Sequence, residues 1–266
     1  MALHTREFVR SWIFSLGYNL SERADLVALR RLMTQLRPRD CGKELIRIGG
    51  AADGGYLIPN DLEGIEYCFS PGVSTISDFE NQLADLKIKS FMADYSVASP
   101  IIVRPEFVFD KKFLGCGNYG NYMTLAFWKK KYLGDYNGDL LLQMDIEGSE
   151  YPVLMNAPDE LLDQFRIMVV EFHDLHKLFD SVTFKFFSAC FEKLLQYFYV
   201  AHIHPNNMGT CVTSGDMEVP KYLEFTFYNK RRVSETKPQL SFPHPLDASN
   251  DPTALPLDLP RCWYLE

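Results

Sequence analysis

Five groups of polar side chains stand where apolar runs of the chain end, and each offers a recognisable chemistry. They are Ser70-Pro71-Gly72-Val73-Ser74, Asp94, Asp145-Ile146-Glu147-Gly148, Glu171-Phe172-His173-Asp174 and His202-Ile203-His204-Pro205-Asn206-Asn207. A carboxylate at such a point can accept hydrogen bonds from hydroxyls, neutralise a cation or take a proton. Histidine titrates nearest neutral pH, which makes His173 and His204 candidate general bases. The amides of Asn206 and Asn207 suit sugar-like hydroxyls. The mixed oxygen and nitrogen donors of Asp145, Glu171, His173 and His204 also suit a divalent cation, although no fixed local spacing marks a metal motif.

The elements that must position these groups follow from periodicity. Residues 22–37 place Leu26, Leu29, Leu32, Met33 and Leu36 on one helical face. Leu45-Ile46-Arg47-Ile48 and Tyr56-Leu57-Ile58 read as two strands around the turn Asp53-Gly54-Gly55. From residue 65 the chain alternates strand and helix. Strands are predicted at 65–69, 89–94, 107–109, 140–144, 167–172, 198–203 and 223–228. Helices are predicted at 77–87, 122–132, 149–155 and 183–195, the first opened by a capping box of Ser77 and Glu80. Continuous apolar strands joined by helices mean an α/β doubly wound, mostly parallel sheet covered on both faces. Ligands of such sheets bind beyond the carboxyl ends of the strands, where the polar groups fall. The spacing divides the chain into a helical extension over 1–43, a main domain over 44–232 and an irregular tail over 233–266.

Composition narrows the function classes. The chain has 266 residues, 47% hydrophobic and 23% charged, the balance of a globular fold rather than a disordered or coiled-coil one. A net charge of −8 and a pI near 5.3 argue against nucleic acid as a partner. Six scattered cysteines without a CxxC pair read as buried thiols of a reducing compartment. The patch Trp12-Ile13-Phe14 is too short for a membrane span, so the expectation is a soluble, cytoplasmic protein. Lys129-Lys130-Lys131 reads as the solvated face of a helix. The aromatic run Phe184, Phe186, Phe187, Phe191, Tyr197 and Phe198 reads as core, with exposed members available to a homodimer interface.

The ordered set of motifs is similar to the FkbM family of methyltransferases. Asp145-Ile146-Glu147-Gly148-Ser149-Glu150 after an apolar strand resembles the family signature. Arg47-Ile48-Gly49 with Asp53-Gly54-Gly55-Tyr56 resembles its entry hairpin, and Cys68-Phe69-Ser70-Pro71-Gly72-Val73 with Asp78-Phe79-Glu80 its cofactor loop. Val170-Glu171-Phe172-His173, His202 to Asn207, and Pro245-Leu246-Asp247 with Asn250 resemble its later strand ends and tail. Roughly residues 44–260 are covered in order. Gly72 is the only glycine between the first strand and its helix, and Ser70 stands where many relatives carry glycine.

The resemblance implies a class I, Rossmann-like fold with seven strands and S-adenosylmethionine as cofactor. It implies transfer of a methyl group to a hydroxyl of a small molecule or glycan, aided by a base or a divalent metal. The implied cofactor contacts are Asp53, Gly54, Ser70, Pro71, Gly72, Ser74, Glu80, Asp94 and Asp145. Asp145, His173 and His204 are the implied catalytic residues; Tyr56, Glu147, Asn206 and Asn207 are expected near the acceptor. Two alternatives remain open. Gly115-Cys116-Gly117-Asn118-Tyr119-Gly120 matches GxGxxG, with Asp145 about 25 residues after it, which would suit an NAD(P)-dependent oxidoreductase. A non-catalytic, methyltransferase-like binding module is the other.

Overall fold

The structure is a computed structural model and describes residues 2–17 and 20–265. Of the expected extension 1–43, Met1, Tyr18 and Asn19 lie outside the described residues, as does Glu266 of the tail. The chain opens with helices α1 (Ala2–Ser15) and α2 (Leu26–Gln35). Asp25 caps α2, its carboxylate accepting from the N–H of Val27, and the helix buries Leu29, Leu32 and Met33. Four residues over 45–48 pair antiparallel with 56–59 to form the entry hairpin.

A seven-stranded sheet follows. Numbered in chain order, its strands are β1 (Tyr67–Pro71), β2 (Lys89–Ala93), β3 (Phe107–Asp110), β4 (Leu140–Met144), β5 (Phe165–Phe172), β6 (Phe198–Pro205) and β7 (Leu223–Asn229). Their spatial order is β6-β7-β5-β4-β1-β2-β3. β7 runs antiparallel to both its neighbours, while the pairs from β5 to β3 are parallel. This is the doubly wound, mostly parallel sheet that the strand pattern predicts, with the seven strands that the resemblance implies. The connecting helices are α3 (Asp78–Asp85), α4 (Leu125–Leu133), α5 (Glu150–Asn156), α6 (Asp159–Gln164) and α7 (Ser181–Tyr197).

Both faces of the sheet are apolar because both are covered. One face, with Phe69, Leu142, Val170 and Phe225, packs against α2, α4, α5 and α7. The other, with Cys68, Leu141, Val169 and Tyr228, lies under the entry hairpin and α3. Toward the carboxyl ends this second face turns polar. Glu171 pairs with Glu224, Glu224 with His204, and Asp145 follows Met144, the partner of Val170. The side-chain period of two therefore sets Asp145, Glu171, Glu224 and His204 side by side across β4, β5, β7 and β6.

Three expectations change, and one open alternative loses its strand context. Ser77 makes no cap bond, its hydroxyl is buried without a partner, and Glu80 turns inward to Ser70 instead of back to the helix start. The Gly115 to Gly120 glycines form the loop between two short paired strands, 113–114 and 122–123, beyond the edge strand β3. A dinucleotide fingerprint instead joins a central strand directly to a helix. Only Cys41, Cys68 and Cys190 are buried; Cys116 is exposed. The tail, read as wholly irregular, contributes Lys237–Pro238 to a two-residue pairing with Arg39–Asp40. No helix among the described residues is long and apolar enough to cross a membrane.

Candidate functional site

A cavity of ≈ 440 Å³ opens beyond the carboxyl ends of β1, β2 and β4, within the ordinary range of small-molecule sites. It lies where the sheet order reverses between β4 and β1, the switch point of a doubly wound fold. Asp53, Gly54, Tyr56, Gly72, Ser74, Glu80, Asp94, Asp145 and Glu147 all line it, nine of the residues expected from sequence. Ile76, Phe79, Phe113, Leu114 and Tyr122 supply apolar and aromatic walls, and Ser96, Gln143 and Ser149 further polar ones. Phe113, Leu114 and Tyr122 come from a segment that carries no apolar periodicity, which is why sequence reasoning missed them.

Gly72 makes the cavity possible. Its φ is +90°, its N–H donates to the Ala93 carbonyl at 2.9 Å, and a Cβ there would stand 1.5 Å from the Asp145 carbonyl oxygen. The single glycine of this loop is thus at the point where β1, β2 and β4 crowd together. Ser74 follows in the left-handed region at φ +43° and donates its N–H to Asp94 Oδ2 at 2.8 Å. Asp94 Oδ1 accepts from Ser96 N–H at 2.7 Å and from the Ser96 hydroxyl at 2.6 Å. A carboxylate has about four acceptor positions, so this one is held rigidly with capacity left on Oδ2.

Beneath the cavity floor, Ser70 sits between Glu80 and Gln143, its hydroxyl 2.6 Å from Gln143 Oε1. Gln143 Nε2 donates to the Tyr56 hydroxyl at 3.2 Å, which ties β4 to the entry hairpin. Burial pushes the Glu80 carboxyl up to about 7, so near neutral pH it shares a proton within this cluster. Ser70 and Pro71 are buried in β1 and do not line the cavity.

The opposite wall is an acid–imidazole group. Burial, opposed by His173 and reinforced by Glu147, raises Asp145 to about 7. Its Oδ1 is buried with no hydrogen-bond partner. His173 lies behind this wall, Nε2 3.8 Å from Asp145 Oδ1 and 3.4 Å from Glu147 Oε2. Burial by itself lowers the His173 pKa, but the Glu150 hydrogen bond and the charges of Asp145 and Glu147 leave it raised. Glu150 is the anchor that sequence reasoning missed. It is fully buried, and its Oε1 meets His173 Nδ1 at 3.1 Å and the N–H groups of Ile146 at 3.0 Å and Gly148 at 3.1 Å. Glu147 bulges outward at φ +56°, its side chain exposed at the cavity mouth.

The remaining expected residues lie elsewhere. Glu171 is buried, accepts from Asn206 Nδ2 at 2.9 Å and has its other oxygen unpartnered. Burial and the nearby Asp145, Glu224 and Asp53 push its carboxyl well up. Asn207 uses its amide on the tail, accepting from Asp251 N–H and donating to the Asp251 and Leu255 carbonyls. His204 stands at the far end of the polar row, beside Asp247 and Glu224. The expected ligand set therefore divides: Asp145, Glu147 and His173 converge to within 4.8 Å, as do His202, His204 and Asp247, and Glu171 joins neither group.

A family model described as "Methyltransferase FkbM domain" matches residues 129–200, from within α4 to the start of β6. That stretch contains Asp145, Glu147, Glu150, Glu171 and His173. No protein of curated function matches the chain's sequence. Among solved structures it is similar to one described as "crystal structure of fibrillarin/Nop5p complex", with 12% identity and a TM-score of 0.36. That match covers 63% of this chain and 74% of the other.

Proposed function

From the match of residues 129–200 to a methyltransferase FkbM domain model, we propose that the chain is an O-methyltransferase acting on a hydroxyl of a small molecule or glycan, with S-adenosylmethionine as methyl donor. The observation that carries this reading is the cavity at the β4/β1 reversal, with a fixed carboxylate, Asp94, on one side and an unpaired one, Asp145, on the other. We read 44–232 as the domain that binds and reacts, with 1–43 as an extension and 233–266 as a tail packed on it.

The lining fits the cofactor. Asp94 keeps an acceptor position for a ribose hydroxyl. The apolar walls at Ile76, Phe79, Phe113 and Leu114 suit an adenine ring, and Asp53 and Asp145 suit an ammonium group. When bound, S-adenosylmethionine supplies an electrophilic methyl carbon on a positively charged sulfur. The chain must then align a hydroxyl in line with that carbon and remove its proton.

Asp145 is the group placed to take the proton. Its carboxylate borders the cavity, and burial lifts it toward the pH at which a carboxylate is an effective base. His173 acts as a positioning residue behind it, held by Glu150, and shares the proton once Asp145 has accepted it. Tyr56 and Glu147 border the space left for the acceptor. His204, Asn206 and Asn207 take no part in the reaction we propose, because none of them lines the cavity.

A divalent ion is a second reading favoured by one observation: Asp145, Glu147 and His173 bring three possible ligand atoms to within 4.8 Å of one another. These three would hold Mg²⁺ or Mn²⁺ and polarise the hydroxyl. Transfer of labelled methyl from S-adenosylmethionine to a panel of hydroxylated acceptors, with and without EDTA, tests both. Asp145→Asn is expected to lower kcat by about 10² to 10⁴. Full activity in that variant would exclude Asp145 as the base.

A further inference from the structure

Away from the cavity, His202 and His204 stand two residues apart on β6, so both imidazoles leave the same face of the sheet. Their partners on β7, Thr226 and Glu224, lie on that same face. The C-terminal tail returns across it and brings Asp247 Oδ1 to 2.8 Å from His202 Nε2 and 3.5 Å from His204 Nδ1. The other Asp247 oxygen accepts the His244 backbone N–H at 2.7 Å, which aims Oδ1 at the two rings.

Two features exceed what a hydrogen-bonded corner requires. Both ring nitrogens of His204 are buried and neither has a hydrogen-bond partner, although native proteins rarely leave such groups unsatisfied. The three donor atoms also converge to within 4.8 Å, and two imidazoles with one carboxylate form a donor set characteristic of zinc. The negative charges of Asp247 and Glu224 around His204 outweigh the single positive charge of Arg47.

We propose that His202, His204 and Asp247 form a zinc site that clasps the C-terminal tail to β6, with water at the fourth position. Zinc at His202 Nε2 would take the place of the hydrogen bond to Asp247, the neutral ring keeping its one proton on Nδ1. The clasp has a consequence for the cavity. Three residues beyond Asp247, Asn250 donates to Glu224 Oε1 at 2.6 Å and to Asp53 Oδ1 at 3.2 Å, and Asp53 is part of the cavity wall. The proposal does not depend on the methyltransferase reading.

The test is metal titration of the full chain after stripping with EDTA. One equivalent of Co²⁺ is expected to give the visible absorption of a four-coordinate site, displaced by Zn²⁺ and unaffected by Mg²⁺. Zn²⁺ should slow amide exchange over residues 240–258 at least about tenfold, as expected of a segment held by a ligand. His204→Gln should weaken Zn²⁺ binding by about 100-fold or more, a loss at least that of a second-shell partner. His173→Gln should leave it unchanged, which separates this site from the acid group at the cavity. Asp247→Asn loosens the tail by itself, so His204→Gln, which removes no hydrogen bond, decides. Absence of stoichiometric Co²⁺ or Zn²⁺ binding would overturn the proposal. So would an affinity that follows His173 instead of His204.

Discussion

Gly72 has no substitute that keeps the cavity, because its backbone is left-handed and any side chain would collide with the Asp145 carbonyl. Gly72→Ala should destabilise the protein by about 3 kcal/mol, the usual cost of a forced backbone outlier with a backbone clash. Thermal unfolding measures it, and an unchanged Tm would mean that β1 and β4 can separate freely at this point. The type of residue at each strand end was legible in the sequence, since an apolar run that stops at Asp or His is visible without a structure. Partnership was not. Glu80 looked like half of a capping box because the pattern is local, whereas its burial against Ser70 depends on β1 and β4 lying side by side. Glu150 looked like one more acid in the first turn of α5, and only the fold brings His173 onto it.

Among the elements, the two helix starts make opposite predictions. Asp25 accepts from the N–H groups of Val27 and Ala28, so Asp25→Ala should cost about 1 kcal/mol, read as a shift of the urea midpoint. Ser77 caps nothing, and Ser77→Ala should be neutral or slightly stabilising, because it removes a buried unpaired hydroxyl. A loss equal to that of Asp25→Ala would restore the capping box. The strands of the sheet were readable to within two residues at each end, Leu140 to Met144 without error, while the first lies at 67–71 instead of 65–69. The hairpin 211–214 with 217–220 was missed because its first strand, Cys211-Val212-Thr213-Ser214, is half exposed and lacks a continuous run. Gly215-Asp216 between the two strands was the available signal. The glycine loop at 115–120 misleads for the converse reason: its letters match a fingerprint, but its strand lies outside the sheet.

Across the whole molecule, the amino ends of the strands are secured by charge, and the carboxyl ends carry a polar row in which Asp145 and Glu171 each keep an oxygen without a partner. Asp61 accepts from the Tyr228 hydroxyl at 2.6 Å and from Arg232 at 2.9 and 3.0 Å, with Arg166 at 3.7 Å. Burial raises its carboxyl, but these partners outweigh burial and hold it at about 2. A lowered native pKa contributes stability that is complete above the unfolded value, near 4, and is lost as pH falls toward 2. The contribution is about 2 kcal/mol at neutral pH. Urea unfolding from pH 7 down to about pH 2 should show that loss in the parent and not in Asp61→Asn; parallel curves would mean that the pair contributes nothing. The sequence disclosed the doubly wound plan and the end of the sheet at which the cavity opens. It did not disclose that His204 and Asn207 face the tail, because that follows from where residues 244–255 cross the sheet.

The central claim is that the cavity at the β4/β1 reversal holds the methyl donor. Isothermal titration of the protein with S-adenosylhomocysteine, the donor's product, tests it most directly. The account predicts binding at micromolar concentration that is lost in Asp94→Ala and retained in Gly117→Val, with no heat from NADH. Binding that survives Asp94→Ala but falls with Gly117→Val, or binding of NADH in place of S-adenosylhomocysteine, would contradict it.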